Sequence, residues 1–210
     1  VYKRQALNRS LNLAMVNLGV TLGLEEVQKQ FELLTGRKPR NQFPSFLLGA
    51  EPMSPIEVSE LYSNFASGGF NLKPKAVIDV LDSAGAPLSH HSIVLKQTIT
   101  PEISNTLNRS LELTMRRGTG RFSSFSKSGV AGKTGTTNDN RDSWFAGFDD
   151  NKLAVFWVGR DDNKSTGLSG ASGALKLWDA SLRRIGSSPL SIPTDETFVD
   201  IEYSLSLIHI

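Results

Sequence analysis

The chain has 210 residues, 23 Lys and Arg against 21 Asp and Glu, three His and no Cys, and 39% of its residues are hydrophobic. That composition suits one sizeable core and excludes disulfides, thiolate chemistry and cysteine-ligated zinc. No apolar run approaches the ~20 residues that span a bilayer. At the start, Val1-Tyr2-Lys3-Arg4-Gln5 can be encoded by a short DNA whose reverse complement encodes Leu205 through His209. An inverted copy at both ends resembles a transposon-derived sequencing adapter, so residues 1–5 and 205–210 are expected to be adapter-derived. Without Lys3 and Arg4 the charges stand at 21 against 21, and no basic surplus points to nucleic acid.

Ser10-Leu11-Asn12 comes next, followed by apolar residues at helical spacing through residues 11–34 (Leu13, Val16, Val20, Leu24, Val27, Phe31, Leu34). Gly19 and Gly23 are weak spots, so a helix pair is expected, with the Ser-x-Asn triplet at its lip. Residues 35–39 read as a turn and 44–52 as a loop. Ser54-Pro55-Ile56-Glu57 carries an N-cap, a first-turn Pro and a capping-box Glu, and predicts a helix to Ala66, ended by Gly68-Gly69. Residues 76–81 and 92–95 read as short strands flanking a loop at 82–91. Within that loop His90 and His91 are adjacent, so their side chains point apart and make a poor metal pair.

Pro101-Glu102 opens a helix reaching Arg117 and stopped by Gly118-Thr119-Gly120. Residues 130–136, 143–148 and 152–158 are three strand candidates, the last two joined by Asp149-Asp150-Asn151 as a hairpin turn. Asp161-Asp162-Asn163 reads as an exposed turn with too few oxygens for calcium. Residues 174–185 predict a closing helix with Leu175, Leu177, Trp178 and Leu182 on its buried side, and residues 189–204 resemble a linker. One internal echo, residues 7–15 against 107–115, places Glu112 where the first copy has Asn12. We read the echo as chance.

The expected strand at 130–136 ends in Lys133-Thr134-Gly135-Thr136. A lysine, two hydroxyls and a glycine at that spacing make a strand edge able to hold a carboxylate while a substrate backbone lies against it. Acyl transfer from a peptide needs a nucleophile, a base, an oxyanion hole and a clamp for the acyl donor. Here Ser10 and Lys133 suit a proton relay, Asn12 can read a substrate amide from two sides, and the Thr136 N–H suits an oxyanion donor. The Thr134 and Thr136 hydroxyls suit a terminal carboxylate. Taken singly, Lys-Thr-Gly is an exposed strand end and Ser-x-Asn a helix cap; their order and long separation give them weight. Ser124-Phe125-Ser126-Lys127 fits Ser-x-x-Lys, yet it is a polar stretch beside Gly129 rather than the start of a buried helix. Trp144, Phe145, Phe156 and Trp157 could form a sugar platform, but alternation on neighbouring strands sends about half of them into the core. No metal site and no cofactor are expected.

With these motifs, the stretches 49–58, 65–69, 117–120, 131–137, 144–147 and 170–174 resemble the class A penicillin-binding proteins, above all the bifunctional 1b-type peptidoglycan synthases of Gram-negative bacteria. The resemblance covers residues 6–186, with 187–204 as a linker or tail. It implies an α+β fold, an antiparallel sheet flanked by helices on both faces and truncated on its N-terminal side. It further implies a D,D-transpeptidase that cross-links peptidoglycan stem peptides through an acyl-serine, is acylated by β-lactams, and takes its nucleophile from an upstream Ser-x-x-Lys. A glycosyltransferase domain, a membrane anchor on the periplasmic side of the inner membrane and cell-wall synthesis partners belong to the same expectation. A D,D-carboxypeptidase or serine β-lactamase shares the motifs, and a non-catalytic penicillin-recognising sensor is the rival from another class.

Overall fold

The computed structural model describes residues 2–90 and 92–193. Val1, His91, the expected adapter segment at 205–210 and most of the expected tail lie outside the described residues. Three helices open the chain: α1 (Tyr2–Arg9), α2 (Asn12–Leu22) and α3 (Leu24–Thr35). α2 and α3 are the expected pair. Gly23, at φ 92°, separates them and donates its N–H to the Gly19 and Val20 carbonyls. After a 3₁₀ turn at Pro44–Leu48, within the expected loop, α4 (Pro55–Ala66) begins at the predicted capping box. There Ser54 N–H donates to Glu57 Oε2 at 2.8 Å and Glu57 N–H returns to Ser54 Oγ at 3.4 Å.

β1 (Phe70–Asn71) pairs with β4 (Lys96–Gln97), and between them lies the hairpin of β2 (Asp79–Leu81) and β3 (Pro87–His90). This corrects the expected strand at 92–95, which has no strand pairing, and shortens the one expected at 76–81. The cause is Asp82, whose Oδ1 accepts the N–H groups of Ala84 and Ala86, both at 2.8 Å. Its own N–H donates to the Ala86 carbonyl, so the turn closes early and pairing resumes at Pro87.

α5 (Pro101–Arg117) precedes the antiparallel meander β5 (Ala131–Thr136), β6 (Ser143–Phe148) and β7 (Leu153–Val158), and α6 (Ala174–Ile185) closes the fold. Side-chain alternation gives the sheet two apolar faces. On one, Phe145 meets Trp178 of α6 at 5.1 Å between ring centroids, together with Val130, Leu175, Leu182 and Met115 of α5. On the other, Ala131 and Phe148 pack with Leu111 of α5 and with Tyr62 and Phe65 of α4. Helices therefore cover both faces, as expected. Leu177 is a correction: it is 47% exposed, because the buried stripe of α6 runs 175, 178, 179, 182 at steps of three and four. The buried position falls to Asp179, which accepts Ser123 Oγ–H at 2.5 Å and Ser124 N–H at 2.8 Å.

Candidate active site

Ser10 occupies the turn between α1 and α2. Its N–H donates to the Leu7 carbonyl at 3.2 Å and the Leu11 N–H to the Ala6 carbonyl at 2.9 Å, the bond pattern of a Schellman C-cap. The residue after the cap takes a left-handed conformation, and Ser10 does so at φ 56°. A non-glycine residue there costs roughly 1–2 kcal/mol. Buried Ala6 seats α1, and the Asn8 amide and Thr114 hydroxyl, 3.0 Å apart, tie α1 to α5. The two halves of the sequence echo thus pack against each other. Asn12 is the exposed first residue of α2.

β5 is an edge strand, since the sheet order is β5-β6-β7. Just beyond it the Thr137 N–H donates inward to the Asp142 carbonyl at 3.1 Å. Alternation then turns the N–H of Thr136 and the carbonyl of Thr134 to the unpaired edge. Lys133 Nζ reaches the same edge, donating to the Thr134 carbonyl at 3.0 Å and to Ser10 Oγ at 3.1 Å. Burial lowers the Lys133 ammonium from its ordinary 10.5 to about 8. A lysine so placed is a proton donor that still holds a small neutral fraction near neutral pH.

Ser10, Lys133 and Thr134 therefore come together although 123 positions separate the first two. Thr134 Oγ1 donates to Thr119 Oγ1 at 2.6 Å, and Thr136 Oγ1 accepts the Gly170 N–H at 2.9 Å. Gly135 lies opposite Trp144, whose Cβ would be 3.1 Å from a Cβ added there. The arrangement offers a hydroxyl held by an ammonium, an outward N–H and two hydroxyls along one strand edge, a set suited to anchoring a carboxylate and moving a proton beside it. Thr119 was not singled out from sequence. Its signals in the sequence are a place in the helix stop Gly118-Thr119-Gly120 and in the stretch 117–120, neither of which marks a hydroxyl at the site.

The remaining candidates have other roles. Ser124 to Lys127 lie in consecutive turns, with Ser124 Oγ accepting from Arg183 at 2.6 Å. Phe145 and Phe156 pack under α6, whereas Trp144 and Trp157 share the opposite face at 6.2 Å, Trp157 remaining 40% exposed. Asp162 is held by Arg160 through two contacts of 2.8 Å. Among the described residues no group of three or more His, Cys, Asp or Glu is placed to hold a metal ion.

The pattern of the penicillin binding protein transpeptidase domain matches residues 3–176. The chain belongs to this family. Penicillin-binding protein 1B of Vibrio cholerae is 36% identical over 194 residues, covering 91% of this chain and 25% of that protein. The 1B protein of Escherichia coli is 35% identical over 199 residues, 93% of this chain and 24% of that one. The chain thus spans about a quarter of the length of the curated relatives it matches. Among solved structures, penicillin-binding protein 1A from Haemophilus influenzae superposes with a TM-score of 0.80 at 24% identity, over 90% of this chain and 36% of that one. An imipenem acyl-enzyme complex of penicillin-binding protein A from M. tuberculosis gives 0.64 at 19% identity, over 85% and 47%. The expected sheet with helices on both faces is the fold these penicillin-binding proteins share with this chain.

Proposed function

We propose that this chain forms the carboxylate-binding and proton-transferring part of a serine D,D-transpeptidase that cross-links peptidoglycan stem peptides and is acylated by β-lactams. The contact between Ser10 Oγ and Lys133 Nζ carries this reading, because it joins the two motifs at the open edge of β5. In the proposed reaction the stem peptide lies along that edge with its terminal carboxylate toward the Thr134 and Thr136 hydroxyls. The Thr136 N–H takes the acyl oxygen as negative charge develops there. The attacking serine comes from an upstream Ser-x-x-Lys segment. As the amide bond breaks, the upstream lysine takes the attacking serine's proton, Ser10 gives its own proton to the leaving amine, and Lys133 reprotonates Ser10; until that transfer the Lys133 charge stabilises the crowded anions. Asn12, at the head of α2, is assigned to the substrate amide.

The names of the 1A and 1B relatives support this reading, as does the acyl-enzyme form of the M. tuberculosis neighbour. By the same reasoning the whole protein is anchored in the inner membrane, faces the periplasm, carries a glycosyltransferase domain and works with cell-wall synthesis proteins. No helix of the described residues is long and apolar enough to cross a membrane. Residues 6–186 are assigned to the C-terminal part of the transpeptidase domain, and residues 1–5 and 205–210 to the adapter. The test is acylation of the full-length protein by a fluorescent penicillin, with an amine acceptor present to separate transfer from hydrolysis. Lys133→Ala is expected to slow acylation by about 10²-fold, the size of a lost electrostatic contact in the transition state. Equal labelling of variant and parent would remove Lys133 from the mechanism.

A further inference from the structure

The two threonines of the strand edge are not equivalent. Thr136 Oγ1 accepts a backbone N–H, from Gly170, which leaves its own proton to donate to a ligand. Thr134 gives its proton to Thr119 Oγ1 at 2.6 Å and is left with lone pairs, the wrong polarity for a carboxylate. Thr119 in turn is fixed from the far side. Its N–H donates to the Asn8 carbonyl at 3.1 Å, two residues before Ser10. The preceding residue is Gly118, where an added Cβ would lie 2.2 Å from the same carbonyl oxygen, so the backbone approach needs glycine. Thr119 therefore bridges the turn that carries Ser10 and the strand that carries Lys133.

We propose that Thr119 is a positioning residue for carboxylate recognition, acting through the hydroxyl of Thr134. A hydroxyl has one proton and two lone pairs, so a pair of hydroxyls can reverse its hydrogen bond without moving either oxygen. Without ligand, Thr134 donates to Thr119. With a carboxylate at the β5 edge, Thr119 donates to Thr134 and Thr134 donates to the carboxylate, each bond polarising the next. Both protons stay on their own oxygens throughout. The inference rests on the site reading above and adds the group that sets the polarity of Thr134.

The experiment compares acylation of the full-length protein by benzylpenicillin and by its methyl ester, which lacks the anionic carboxylate. Thr119→Val keeps the backbone N–H and the side-chain volume and removes the hydroxyl. It is expected to lower acylation efficiency with benzylpenicillin by about three- to tenfold, mainly through a higher half-saturating concentration, and to leave the ester within about twofold, as loss of the hydroxyl bond that polarises Thr134 toward the carboxylate requires. Thr119→Ser should restore the parent's behaviour with both compounds. Thr119→Ala should reproduce the valine result and serves if the valine variant does not fold. A valine or alanine variant indistinguishable from the parent with benzylpenicillin overturns the proposal. So does an equal loss with both compounds, which marks a purely structural role. A parent protein that benzylpenicillin does not acylate fails at the earlier step and removes the transpeptidase reading itself.

Discussion

Ser10 holds a left-handed backbone that glycine would hold without strain, and it does so at the residue whose hydroxyl meets Lys133. Strain retained at a single position is explained when the side chain there is needed. Ser10→Gly should therefore stabilise the fold by up to about 1 kcal/mol while removing the hydroxyl that meets Lys133. Urea unfolding and penicillin acylation would be measured on one preparation, and a less stable glycine variant would contradict the strain argument. Lys133 has its own pH signature. Below about pH 8 it is charged in the folded and unfolded chains alike, and above 10.5 it is neutral in both. Between these values the unfolded chain holds the proton and the folded chain has released it, so stability rises with pH through that window. Lys133→Met should abolish that rise, as seen in urea midpoints taken from pH 7 to pH 10.5. At this scale the sequence disclosed Lys133, Ser10 and the threonines, because each belongs to a spaced motif. Thr119 was hidden, since its role exists only through contacts with Thr134 and Asn8 made by folding.

Elements were legible where their ends carry chemistry. Ser54 with Glu57, Pro101 and Gly118 mark helix boundaries through caps that act within a few residues, and the observed helices α4 and α5 begin and end there. The hairpin β2–β3 departs from the expected strands because its limit is set by the Asp82 side chain closing the turn, a bond that apolar alternation does not report. Asp149 performs a similar task at the β6–β7 turn, where sequence suggested only a hairpin. It is 2% exposed and accepts the N–H groups of Asn151 at 2.9 Å, Lys152 at 2.8 Å and Ser188 at 2.9 Å. Burial alone would raise its pKa. The N–H groups of Ser188, Asn151 and Lys152, with the Lys152 ammonium 3.2 Å away, outweigh that and hold it below the ordinary 3.8. A carboxylate depressed in this way contributes stability above its unfolded pKa and loses it as pH falls through the folded value. Asp149→Asn should cost about 1–3 kcal/mol at neutral pH, and the deficit should shrink in acid, when the parent's carboxylate is also protonated. Hydrogen exchange should show the Leu190 N–H, bonded to the Gly129 carbonyl, loosening early in the variant. An unchanged Leu190 would mean that the turn does not hold the segment that follows α6.

At the scale of the molecule, periodicity marks the individual strands and helices and the family resemblance implies a sheet between two helical layers, whereas neither says what covers the α2 face. Leu11, Leu13, Val20 and Leu22 are 47%, 85%, 62% and 59% exposed, and Leu11, Leu13, Ala14, Val16, Asn17 and Val20 line an open apolar groove beside Ser10. The chain also spans only a quarter of the relatives it matches. A strand edge and a relay can orient a carboxylate-bearing substrate, but covalent catalysis needs a nucleophile whose proton has somewhere to go. Among the described residues the Ser-x-x-Lys match at Ser124 does not supply one, since its hydroxyl is engaged by Arg183 and its N–H by Asp179. The chain of 210 residues is therefore expected to form no stable acyl adduct with a fluorescent penicillin. Extending it upstream through the Ser-x-x-Lys segment should restore labelling at the added serine and, if that segment packs on α2, reduce the binding of an apolar dye. Substituting Ser124 or Lys127 in the extended protein should leave acylation nearly unchanged. Stoichiometric labelling of the unextended chain, traced by mass to any residue it contains, would place the nucleophile within this chain and overturn the assignment of Ser10 and Lys133 to proton transfer alone.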